Sequence, residues 1–257
     1  MERARELIRP YTTRPGVIGI YLVGSASRPF RDRLSDYDIE VAVDDVAYAH
    51  LTDGERHTFV VHEGPPQKVD HEFYLRPWSE LESMVGSTWD LDHFPFQHAV
   101  VLHDPTGRLS ELLGRLAHLP HEVRDARRRV HYLEGAWGMR RASKCLERDD
   151  PLNAHLVAGE AALAVAKLLF LQEGSWPSTR HWTRQELALL GVPADLVSLL
   201  EEALLTPEPS RVTPLLERVD RFLDEEGETF HKDRMGLFHW AVLTDAGKAA
   251  FRAWAAR

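Results

Sequence analysis

The stretch Tyr21–Val43, YLVGSASRPFRDRLSDYDIEVAV, constrains the fold more than any other part of the chain. It opens inside an apolar, β-branched run, VIGIYLV, which stops at Gly24-Ser25 and predicts a buried strand followed by a tight turn. The run that follows, DYDIEVAVDD, alternates. Tyr37, Ile39, Val41 and Val43 fall on one side, and Asp36, Asp38, Glu40 and Ala42 on the other. Asp36 and Asp38 therefore project from one face at the start of the second strand. Carboxylates that close repel each other unless something cationic lies between them.

A divalent metal is the simplest compensation. Hard oxygen ligands suit Mg²⁺, which takes one or two carboxylates and completes its shell with water and phosphate oxygens. Gly24 allows the backbone to approach a ligand closely, and Ser25 offers a hydroxyl and an N–H to a terminal phosphate. Together they describe a site for a nucleoside triphosphate and its metal ions.

Three more runs, HTFVVHEG, KVDHEFYL and HAVVLHDPTG, read as strands. From about Leu109 the period changes. ARRRVHYLEGAWGMRRASKCLER has apolar residues at helical spacing, and PLNAHLVAGEAALAVAKLLFLQEG begins at Pro151 and ends at Gly174, the usual helix punctuation. The fold class is α+β: an N-terminal mixed sheet with short flanking helices, then an all-helical C-terminal domain. The change falls between Gly107 and His121, and the domains are taken as 1–110 and 111–257.

Composition narrows the partners. Lys and Arg total 31 against 40 Asp and Glu, a formal charge of −9, which disfavours nucleic acid and favours a cationic small molecule. The single cysteine, Cys145, reads as a buried or half-buried helix position and forms no internal disulfide. The N-terminus MERARELIRPY has no apolar signal core, and no apolar run is expected to reach the ~20 residues that cross a bilayer. A cytoplasmic protein without a membrane partner is the expectation.

Gly24-Ser25, then ASRPFRDRL, then Ser35-Asp36-Tyr37-Asp38-Ile39-Glu40-Val41 resembles the nucleotidyltransferase superfamily that includes DNA polymerase β and the aminoglycoside nucleotidyltransferases. The match is close over about twenty residues and loose over the N-terminal half. The resemblance implies that Gly24, Ser25 and Ser35 lie at the nucleotide, and that Asp36 and Asp38 bind two Mg²⁺ ions with a third carboxylate from a neighbouring strand. In KVDHEFYL, Asp70, Glu72 and Tyr74 share a face, so Asp70 and Glu72 are both candidates, with Asp70 ranked first as metal ligand or base. It further implies transfer of a nucleoside monophosphate, AMP from ATP, to a hydroxyl of a small acceptor such as an aminoglycoside-like antibiotic. The alternatives are an antitoxin-type enzyme that modifies a protein partner and a nucleotide-binding protein without turnover. HAVVLHDPTGRLSELL followed by AKLLFLQEGSWPSTRHW is similar to small-molecule nucleotidyltransferases of bacteria, which makes Glu160, Lys167, Arg180 and His181 candidate contacts and Trp176 and Trp182 candidate stacking partners.

Blander readings sit beside these. Arg28, Arg31 and Arg33 read by default as a solvated helix face, with a phosphate contact as the alternative. His93, His98 and His103 lack the partners of a zinc site and read as surface or capping residues. TWDLDHFPF lacks the glycine and terminal glutamate of a calcium loop. Neither a Gly-x-Ser-x-Gly elbow nor a dinucleotide-binding glycine fingerprint is present.

Overall fold

The structure, a computed structural model, describes residues 1–62, 64, 68–178 and 180–254. It divides into two compact units, Met1–His118 and Leu119–Arg257. The division falls after His118 rather than at 110/111. Helix Arg108–Ala117 belongs to the first unit because Leu109, Leu112, Leu113 and Leu116 are buried against the sheet.

All five expected runs form strands: β1 (Val17–Val23), β2 (Tyr37–Val43), β3 (His57–Val61), β4 (Val69–Pro77) and β5 (Val100–His103). They make one sheet in the order β3-β4-β2-β1-β5. β2 and β4 are parallel; β1–β2, β1–β5 and β3–β4 are antiparallel. The sheet is therefore mixed, as the alternating and continuous apolar runs require.

Its two faces carry different cores. Ile20, Leu22, Ile39, Val41, Val43, Phe73 and Leu75 form one, joined by Ile8. Tyr21, Val23 and Ala42 form the other, beneath Trp78, Leu81, Phe96 and helix Arg108–Ala117. Strand parity puts Asp38 and Glu40 on this second face, whose central part is covered by apolar side chains. Burying Leu-sized side chains stabilises each by roughly 1.5–3 kcal/mol, which is what offsets the charge placed among them.

Every regular element of the second unit's described residues is a helix. Helices His121–Glu147 and Pro151–Gln172 form an antiparallel pair joined by a short turn. They touch at glycines: a Cβ on Gly135 would stand 2.7 Å from Val165 Cγ2, and one on Gly138 would stand 2.6 Å from Ala161 Cβ. Asp150 caps the second helix by accepting from Asn153 N–H, and Gly174 at φ 71° follows its end. Cys145 is half-buried on the first.

One expectation is corrected. Helix Pro151–Gln172, with 22 residues and a mean hydropathy of 1.7, is long and apolar enough by composition to cross a bilayer. Because 61% of that window is buried within the protein, it is equally the central helix of a folded core. Along the sequence Glu160 and Lys167 interrupt the apolar run.

Candidate active site

β1 runs into Gly24 as β2 runs out from Asp36, and their antiparallel register sets Val23 opposite Asp38. The two halves of the motif are thus brought together by strand pairing. Gly24 has φ +64°, and a Cβ there would lie 1.7 Å from Asp38 Oδ2. No other residue type leaves room for that carboxylate, quite apart from the backbone strain of a side chain in this region.

Ser25–Ser27 form a single 3₁₀ turn after Gly24. Ser27 Oγ donates to the Gly24 carbonyl at 2.8 Å, and Arg28 N–H donates to the Ser25 carbonyl at 3.1 Å. The half-buried Ser25 hydroxyl makes no side-chain hydrogen bond among the described residues. No helix follows. Arg28 precedes Pro29, which disfavours helical backbone before it, and the chain reaches β2 through turns.

The arginines differ from a solvated helix face. Arg28 is buried, its guanidinium donating to Ser27 Oγ at 2.8 Å and lying 4.7 Å from the Phe94 ring centre. Arg31 stacks on Tyr37 at 4.0 Å. Arg31 and Arg33 both stay exposed on the loop.

Ser35 is engaged elsewhere. Its hydroxyl donates to Asp32 Oδ1 at 3.0 Å and accepts from Asp32 N–H at 3.0 Å, while its carbonyl accepts from Lys68 Nζ at 2.8 Å. It holds the turn that presents Asp36, and its hydroxyl is committed to that turn, so the expectation of a nucleotide contact there is not what this geometry gives.

The parallel β2–β4 register places Glu72 directly beside Asp38. With no cation between them, the charge of each carboxylate disfavours ionisation of the other. Asp38 is pushed up to about 8, first by burial, then by Asp36, then by the hydrogen bond and charge of Glu72. Asp36 is raised as well, chiefly by burial, against its own backbone N–H and the opposing charges of Lys68 and Arg31. These three acids form one group. Asp70, ranked first from the sequence, stands apart: it bonds His71 Nδ1 at 2.9 Å and Arg3 at 3.4 Å, and the His71 bond leads in lowering its pKa. Alternation could not separate Asp70 from Glu72, since both share one face; register does.

His57 and Tyr74 complete the surroundings and were not anticipated. His57 Nε2 lies 3.2 Å from Glu72 Oε2, and its ring stacks on Tyr74 at 4.0 Å. β3 is an edge strand whose pairing with β4 could not be read from HTFVVHEG alone.

The donor set suits a hard divalent ion: oxygen ligands on a half-buried face, with every leading influence on Asp38 raising its pKa. Among the described residues no three His, Cys, Asp or Glu side chains form a ready-made metal cage. Mg²⁺ is commonly bound by one or two carboxylates with water and phosphate supplying the rest.

Other sequence candidates are dispersed. Trp176 is buried, with Arg127 over its ring at 5.5 Å, so it offers no stacking face. Trp182 is half-buried beside His181, 5.7 Å between ring centres. The Arg180 side chain lies outside the described residues. Glu160 and Lys167 line a cavity within the helical unit. His93 is buried rather than on the surface, with Nδ1 2.7 Å from the Leu116 carbonyl and Nε2 2.8 Å from the Ser87 carbonyl. TWDLDHFPF folds as two 3₁₀ turns that bury Phe94 and Phe96.

A family model described as a domain of unknown function, DUF4037, matches residues 92–183. No curated protein matches the chain. A solved structure described as a nucleotidyltransferase-like protein from Exiguobacterium sibiricum 255-15 is similar at 17% identity and a TM-score of 0.45, covering 88% of this chain and 74% of that one. A likeness of that degree carries neither residues nor activity to this chain.

Proposed function

We propose that this chain is a Mg²⁺-dependent nucleotidyltransferase that moves a nucleoside monophosphate, AMP from ATP, to a hydroxyl of a small acceptor. The observation that carries the reading is the packing of Asp38 against Gly24, with Asp36 and Glu72 beside it. In this reading Asp36 and Asp38 hold the metal, and Gly24 and Ser25 receive the triphosphate. When bound, divalent ions lower the acceptor hydroxyl's pKa and steady the charge on the triphosphate.

The protein's own groups do the rest. Glu72 accepts the acceptor proton, oriented by His57 at 3.2 Å. Ser27 and Arg28 hold the Gly24 carbonyl, so the loop is set before the nucleotide arrives. Phosphoryl chemistry of this kind needs positioning and charge stabilisation more than covalent help. The net charge of −9 favours a cationic acceptor, for which an aminoglycoside-like antibiotic is the model, and a cytoplasmic location goes with the lone cysteine.

Pyrophosphate release from each ribonucleoside triphosphate with Mg²⁺, across a panel of aminoglycosides and other hydroxylated acceptors, tests this directly. Acceptor-dependent release that Asp36→Ala/Asp38→Ala abolishes is the expected result. Metal-dependent ATP binding without release on the panel would move the acceptor to a protein partner. Absence of nucleotide binding would overturn the reading.

A further inference from the structure

Strand pairing aligns one residue from each of four strands in a row across the sheet: Phe59 opposite Glu72, Glu72 beside Asp38, and Asp38 opposite Val23. Paired residues point to the same face, so Phe59 stands on the face that carries the acidic group. Neighbouring strands lie about 5 Å apart, which puts Phe59 one step from Glu72 and two from Asp38, on the side away from Gly24. The row therefore has a direction. In the transfer reading the triphosphate and metal occupy the Gly24 end, Glu72 takes the proton in the middle, and an aromatic ring closes the far end.

Phe59 stands outside both cores of the sheet and is 58% exposed. A single exposed aromatic side chain is ordinary; its place in this row is not. The Phe59 ring centre lies 5.8 Å from that of His57, which stacks in turn on Tyr74 at 4.0 Å and reaches Glu72 at 3.2 Å. The three rings form a shelf that runs from the edge strand to the carboxylate.

The shelf and the acids select one chemistry. Glu72 and Asp38 make this part of the face negative, while the cations Arg31 and Lys68 bear on Asp36. The π face of a phenyl ring is negative as well, so an ammonium group is attracted by both, and the same flat surface suits the C–H face of a saturated ring. A hydroxyl at Glu72 and an ammonium over Phe59 stand about one strand spacing apart, the separation of two substituents on one six-membered ring. We propose that Phe59 selects the acceptor: its ring carries the ammonium-bearing face of a cyclic amino alcohol whose hydroxyl is presented to Glu72. The inference rests on the transfer reading and assigns acceptor recognition to a residue of the edge strand.

Steady-state kinetics of the full chain with ATP and Mg²⁺ test it, with kanamycin, spectinomycin and 2-deoxystreptamine as cyclic amino alcohols and myo-inositol as the neutral counterpart. Transfer to at least one amino alcohol is expected. Phe59→Ala should raise the KM of that acceptor by about tenfold or more while kcat and the KM for ATP stay within about twofold. Phe59→Trp, which keeps a π face, should restore the acceptor KM, and Phe59→Leu, apolar without one, should leave it raised severalfold. Val60→Ala is the control: Val60 is 49% exposed on the same edge strand but pairs with His71 on the opposite face, and its substitution should change neither KM. Circular dichroism checks folding, and if Phe59→Ala is not folded, Phe59→Leu decides. An acceptor KM indifferent to Phe59, an equal rise in Val60→Ala, a matching rise in the KM for ATP, or transfer to myo-inositol alone would each overturn the proposal and leave the transfer reading standing. ATP binding without release to any of these acceptors would overturn it by removing the acceptor class, and absence of ATP binding would overturn both.

Discussion

Two acidic groups stand on the same face of the sheet, one pleat apart on β2, and they are treated in opposite ways. Glu40 is buried, and Arg76 donates to it at 2.7 and 3.2 Å while Tyr21 donates at 2.5 Å. Arg76 reaches on to Glu80 at 2.7 Å, and the carboxylates hold its pKa high despite burial. Asp38 has Asp36, Glu72 and Glu40 itself as its leading neighbours, and all of them push it up. The sequence offers both aspartate and glutamate at alternate positions of one strand. Arg76 internally compensates one acid; the other retains an affinity for a proton, or for a cation from outside. Glu40, compensated by Arg76, is a structural element, whereas Asp38, without such a partner, is where the proposed function would hold a cation.

The sharpest way to break this contrast is to exchange the acids on β4. Glu72→Gln should reduce transfer by about 10²–10⁴-fold, the usual worth of a proton acceptor. Asp70→Asn should leave activity intact and stability within about 0.5 kcal/mol, since its contacts with Arg3 and His71 are partly exposed. Equal losses in steady-state rates for both variants would dissolve the assignment of Glu72. Next in size is Arg76→Ala, which strands Glu40 without its partner and should cost about 3–5 kcal/mol in denaturant unfolding. Unfolding that is unchanged would mean that Glu40 is not held by Arg76.

A further effect concerns pH. Folded Asp38 titrates near 8, against about 3.9 in an unfolded chain, so the folded state keeps a proton that the unfolded state has released. Stability of the metal-free protein should therefore fall as pH rises from about 4 to about 8. Asp38→Asn should flatten that slope, and Mg²⁺ should raise the wild-type melting temperature at pH 8 but not that of Asp36→Ala/Asp38→Ala. Melting curves at fixed ionic strength distinguish these cases; a slope that persists in Asp38→Asn would assign it to other groups.

Much of the frame was legible along the chain. The five strands, the change to helix, the punctuation at Pro151 and Gly174 and the juxtaposition of Asp36 with Asp38 follow from periods of two and 3.6 and from the special backbone of proline and glycine. What failed did so where a choice depended on a distant partner. Arg28 reads as a surface charge until Phe94, far along the chain, lies beneath it. The resemblance puts Ser35 at the nucleotide, while its hydroxyl is taken up by Asp32. Trp176 reads as a stacking surface until the helical core closes over it.

The amino-acid sequence by itself determined that two aspartates start a strand on one face and that a glycine ends the strand before them, because those are properties of neighbouring residues and of strand period. Only the tertiary structure decided that Glu72 rather than Asp70 stands beside Asp38, that His57 backs it, and that Arg76 goes to Glu40 instead. The physical reason is register: period-two alternation assigns a residue to a face but not to a partner along the strand, and electrostatics acts between partners.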